Sequence, residues 1–155
     1  IIIPGYKCNM TDIMASIGLV QLDRYPKLLA RRLELVEKYN KGFEGSKVKP
    51  LVHNTKDHKS SNHLYITHVE GATFEQRGKI ITEMAERGIS CNVHYKPLPL
   101  LTAYKNLGFD MNNYPNAYSY YVNEVTLPLH TRLSDDDIEV IVENFKEVIA
   151  EVVGE

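Results

Sequence analysis

The side chains best placed to do chemistry begin at Gly5-Tyr6-Lys7-Cys8-Asn9-Met10-Thr11-Asp12-Ile13. This is a polar turn delivered to the start of a helix. Free backbone N–H groups there attract an anion, and Lys7 and Asn9 add donors of the right kind. Local physics alone favours an ordinary capped helix start. A second candidate is His94-Tyr95, where a strand-like run enters a loop broken by Pro97 and Pro99. Such a junction presents side chains to a ligand. The other reading puts the His94 ring into the local core and Tyr95 against Pro97.

Other chemistry-bearing residues carry less. His53, His58, His63 and His68 recur every five residues. A step of five keeps neither one helix face nor one strand face, so a metal tract is not expected. Asp135-Asp136-Asp137 lacks the glycine and terminal glutamate of a calcium loop, and suits a helix start. His130 reads as a surface loop residue. Cys8 and Cys91 are the only two cysteines. They form neither a disulfide framework nor a zinc site, and a reducing cytoplasm is expected. The tyrosines at 104, 114, 118, 120 and 121 read as packing, because no basic groove accompanies them.

Several elements must position these groups. Thr11 caps a helix from about Asp12 to Arg24 that is apolar nearly all round, as expected of a buried or interface helix. Pro26 breaks it and starts a second helix reaching about Phe43. On that helix Glu34–Lys38 and Glu37–Lys41 have the favourable i,i+4 order. Residues 46–62 read as loop, and 64–69 as a strand. Thr73-Phe74-Glu75-Gln76 is a capping box for a helix that stops at Gly88. Residues 89–95 read as a strand, 101–107 and 115–123 as short helices, and 125–129 as a strand. Ser134 caps a last helix with a clean apolar stripe from Ile138 to Val152. The order predicts an α+β fold, a small sheet covered by helices.

Bulk properties exclude some classes. The 155 residues suit one domain, or one domain with a remnant of another. Hydrophobic residues make up 43% and charged residues 25%, enough to build a core. A net charge of -2 argues against a nucleic-acid surface or an anionic membrane as partner. No apolar run approaches the ~20 residues of a membrane span. The opening Ile1-Ile2-Ile3-Pro4-Gly5, with no initiator Met and no signal pattern, suggests a fragment.

The Gly5–Ile13 run, with Ala15, Gly18-Leu19 and Gln21-Leu22, resembles the DegT/DnrJ/StrS family of sugar aminotransferases. The resemblance continues through Arg31-Arg32, Gly88-Ile89 and Val93-His94-Tyr95-Lys96-Pro97-Leu98. It returns in Tyr114-Pro115-Asn116-Ala117, Leu127-Pro128-Leu129 and Leu133-Ser134-Asp135-Asp136-Asp137-Ile138. Ordered matches span nearly the whole chain.

The resemblance implies the C-terminal small domain of a fold-type-I pyridoxal-phosphate enzyme, with residues 26–155 as that domain. Residues 1–25 would be the end of the cofactor domain and the linking helix. It implies pyridoxal 5'-phosphate in the full-length enzyme, a nucleotide-sugar substrate, an amino-acid donor (usually glutamate), and a homodimer. The stretch 5–10 would reach the partner's active site, offering Lys7 and Asn9 to the cofactor phosphate. His94 and Tyr95 would line the sugar-nucleotide pocket. Lys7 stands where Asn is usual in the family, and Asn9 where Arg is commoner. The family's Ser-x-His-x-x-Lys pattern, which holds the Schiff-base lysine, does not occur here. The chain alone is therefore expected to be catalytically silent. Two other readings remain open at this stage: a sugar dehydratase of the same family, with histidine in place of that lysine, and a non-catalytic partner-binding domain.

Overall fold

A computed structural model describes residues 2–3, 5–6 and 9–154. Lys7 and Cys8 lie outside the described residues.

The first helix, α1, runs without interruption over Asp12–Gly42 and contains Pro26. The expected break at Pro26 is therefore corrected. Proline forfeits its own bond to the carbonyl four residues back. The helix survives because its second half is anchored in the core by Leu35, Val36 and Tyr39. Thr11 is the N-cap, its hydroxyl accepting from Met14 N–H at 3.4 Å. The expected Glu34–Lys38 pair is also replaced. Glu34 pairs with Arg31 at 3.1 Å, and Lys38 reaches Asp135 at 3.2 Å on the last helix.

Three short antiparallel strands follow the order β1-β2-β3: β1 Val48–Pro50, β2 Tyr65–Val69 and β3 Glu124–Leu127. β1 lies inside the stretch read as loop. Three residues are too few to show a period, and Pro50 is tolerated because β1 is an edge strand. The strand expected over 89–95 is not formed. Only Asn92 pairs with the sheet, in an isolated bridge to Thr126. The next amide, Val93 N–H, is taken by the Asn92 side chain at 2.8 Å, which ends the pairing.

Helix α2 spans Phe74–Glu86 and opens with the expected Thr73/Gln76 capping box. Short helices α3, Thr102–Asn106, and α4, Pro115–Val122, precede β3. Helix α5 covers Asp135–Val153, with a capping box between Ser134 and Asp137. The core lies between one sheet face and α1, α2 and α5. Tyr65, Val69, Val125 and Leu127 meet Tyr39, Ile80 and Phe145 there, with the Tyr39 and Tyr65 rings stacked at 4.5 Å. This is the expected α+β arrangement of a small sheet covered by helices. No helix among the described residues is long and apolar enough to cross a membrane.

Candidate functional site: an aromatic cleft on the second sheet face

Strand alternation sends successive side chains to opposite faces. In β2, Tyr65, Thr67 and Val69 are buried, whereas Ile66 and His68 are half-buried and turn away from the core. His68 stands directly opposite Glu124 of β3. The loop after Asn92 and helix α4 close over this second face. They enclose a cleft of about 150 Å³ whose polar groups are His68, His94 and Glu124, walled by Tyr95, Tyr120 and Tyr121.

Each polar group has a definite setting. His68 Nδ1 lies 3.3 Å from Asn123 Oδ1, and its ring meets Tyr120 edge-on at 4.3 Å. The His94 ring meets Tyr95 edge-on at 4.7 Å. His68 Nε2 and His94 Nδ1 are buried without a hydrogen-bond partner among the described residues. Glu124 is 4% exposed, accepting from the Thr126 hydroxyl and from His94 N–H at 3.0 Å. Tyr95 is 72% exposed. Behind the wall, the buried Arg77 guanidinium lies 4.6 Å from the Phe74 ring centre and 5.0 Å from that of Tyr121. Cation–π contacts of this kind hold the Tyr121 ring in place.

Aromatic walls with a few convergent polar atoms suit a ligand that has apolar ring faces and hydroxyl edges. A larger groove of about 460 Å³ runs between α1 and α5, with Lys38, Lys41, Glu143 and Lys146 along it. Its charged groups are exposed side chains that do not converge on a buried polar atom, so the smaller cleft is the better site.

The sequence-predicted residues fall in two places. His94 and Tyr95 share the cleft wall. Asn9 is exposed, two residues before the α1 cap, and Lys7 lies outside the described residues. Unpaired amides at a helix start are donors of the kind a phosphate attracts, and the Thr11 hydroxyl takes one of them, Met14 N–H. Sequence reasoning missed His68, Glu124, Tyr120 and Tyr121. Period-2 alternation in Tyr65–Val69 could have turned His68 outward, and an acid heading Val125-Thr126-Leu127 could have marked Glu124. His130 is exposed, and the described residues contain no group of three or more acidic, His or Cys side chains able to hold a metal ion.

Solved structures with an α+β lobe of this topology include sugar aminotransferases, and the chain matches only part of each. Spr1654 of Streptococcus pneumoniae, assigned as a sugar aminotransferase, superposes with a TM-score of 0.90 and 64% identity, over 96% of this chain and 37% of that one. It is known in apo, pyridoxamine-phosphate and pyridoxal-phosphate forms. The chain belongs to the DegT/DnrJ/EryC1/StrS aminotransferase family, which it matches over residues 2–146. Spore coat polysaccharide biosynthesis protein SpsC of Bacillus subtilis is 34% identical over 154 residues, 94% of this chain and 38% of SpsC. The UDP-4-amino-4,6-dideoxy-N-acetyl-beta-L-altrosamine transaminase of Helicobacter pylori is 30% identical over 135 residues, 87% of this chain and 36% of that enzyme. The chain thus spans under two fifths of the length of these relatives.

Proposed function

We propose that this sequence is the C-terminal part of a pyridoxal-phosphate-dependent aminotransferase acting on nucleotide-linked keto-sugars in glycan synthesis. The observation that carries this reading is the cleft, in which His94, His68 and Glu124 converge between tyrosine rings. The amino group would come from an amino acid, usually glutamate. Pyridoxal phosphate, when bound, would carry that amino group and stabilise the negative charge formed beside it.

This chain's own residues would bind and orient. His94 and Tyr95 would hold the sugar against the sheet. Lys7 and Asn9 would give a cation and an amide to the cofactor phosphate of a neighbouring subunit. Residues 1–25 would close the cofactor domain and form the linking helix, with 26–155 as the small domain. Exposed Ile13, Met14, Ile17, Leu19, Val20 and Leu22 on the first half of α1 support this, because so large an apolar surface calls for a covering partner. The assembly would be a cytoplasmic homodimer.

The test uses the whole gene product, purified with pyridoxal phosphate. Glutamate should convert the cofactor to its pyridoxamine form, and a panel of nucleotide-linked 4-keto-6-deoxyhexoses should convert it back with formation of amino-sugar. Lys7→Ala and Asn9→Ala should each weaken cofactor retention on dialysis, a readout independent of turnover. The 155-residue chain alone should be silent in both half-reactions. Failure of every nucleotide sugar in the panel to accept the amino group would overturn the reading.

A further inference from the structure

Strand β3 reads Glu124-Val125-Thr126-Leu127, and all four residues are buried. Val125 and Leu127 join the core, while Glu124 turns to the cleft. Both of its hydrogen-bond donors, the Thr126 hydroxyl and the His94 amide, are neutral. Among the described residues its carboxylate enters no ion pair. Burying an acid without a counter-charge opposes folding, and an apolar side chain would suit a covered strand better. Positions that break a local rule in this way are expected where function demands it.

The second of those bonds shows what the carboxylate does. The chain leaves the sheet after the Asn92–Thr126 bridge. Val93 N–H turns back to Asn92, and His94 N–H is the next amide along. Among the described residues the Glu124 bond is thus the last tie between β3 and the loop before the short 3-10 turn at Leu98–Leu100. Without it, the nearest tie to the sheet is the Asn92–Thr126 bridge, two residues before His94.

We propose that Glu124 is a positioning residue of the cleft: its buried carboxylate pins the His94 backbone and so sets the His94 and Tyr95 rings for the sugar. This rests on the function proposed above. Glutamine can keep both contacts, since its carbonyl accepts from His94 N–H and its amide donates to the Thr126 oxygen. Leucine keeps neither.

The two half-reactions of the intact enzyme are measured separately for wild type, Glu124→Gln and Glu124→Leu. Glu124→Leu should lower kcat/KM of the sugar half-reaction by about tenfold or more, since small misplacements of binding groups are costly. Its glutamate half-reaction should stay within about twofold, below the scale of such misplacement effects. Its thermal midpoint should fall by only a few degrees, because the gain from burying an apolar side chain partly offsets the acceptor lost by the Thr126 hydroxyl and the His94 amide. Glu124→Gln should retain most of the sugar half-reaction. The inference is overturned if Glu124→Leu keeps the full sugar half-reaction, or if Gln and Leu are equally impaired. It is also overturned if Leu lowers the midpoint by more than that and both half-reactions together, which would make the role structural. A wild-type enzyme that takes glutamate but no nucleotide sugar overturns the function itself, and this inference with it.

Discussion

The Tyr39 phenol donates to the Pro128 carbonyl at 2.8 Å, joining α1 to the residue that follows β3. Tyr39 is fully buried and stacked on Tyr65, and burial pushes its phenol well above the ordinary range, so it remains a donor. Tyr39→Phe keeps the ring and removes the donor. It should cost about 1 kcal/mol, the typical net value of such a bond. Urea unfolding of both proteins would show this as a lower midpoint at unchanged slope.

Helices α1 and α5 pack closely at Gly42. A Cβ there would lie 2.9 Å from both methyl carbons of Val142. Valine is stiff and cannot swing aside. Gly42→Ala gains helix propensity but overpacks, and the net loss should be about 1–2 kcal/mol. Val142→Ala in the same chain should recover part of it, which a double-mutant cycle of unfolding free energies would reveal.

Asp135 accepts from Arg31 at 2.9 Å and pairs with Lys38 at 3.2 Å, and Arg31 also donates to the Leu133 carbonyl at 2.9 Å. The Arg31 hydrogen bond first, then Lys38, hold the Asp135 carboxyl below its usual value of 3.8. A depressed acid stabilises the fold above its unfolded-state pKa, and that contribution fades as pH falls through the folded value. Asp135→Asn should therefore melt below wild type at pH 7. The gap should close as pH drops below 3.8, and shrink in high salt. A gap that persists in strong acid would show that charge is not the cause.

Cys91 packs against the core, and burial pushes its thiol up to about 12 from the ordinary 9.0. Three pH units mean about a thousandfold less thiolate, the reactive form. Iodoacetamide at pH 8 should label the Cys91 peptide at least about a hundredfold more slowly in the folded protein than in denaturant. Mass spectrometry of that peptide separates it from Cys8. Rapid native labelling would contradict the burial.

Much of the scaffold was readable because its signals are local. The Thr73/Gln76 capping box and the Ser134 cap each lie within three residues, and both are formed. The stripe from Ile138 to Val152 needs only the helical period, and its buried members line the core side of α5. Pro26 misled for the same reason. Its local cost is real, but the packing of Leu35, Val36 and Tyr39 outweighs it from roughly two and a half to three and a half turns away.

By itself, the order of residues determined the family, the α+β class, the helix caps and the candidacy of His94 and Tyr95. Tertiary structure alone decided that β1 joins the sheet, that 89–95 does not, and that His68 faces Glu124 beside those two rings. A cap or an amphipathic stripe is written in neighbours a few residues apart. Strand register and loop closure depend on hydrogen bonds between segments far apart in the chain, and no local pattern encodes which partner each will find.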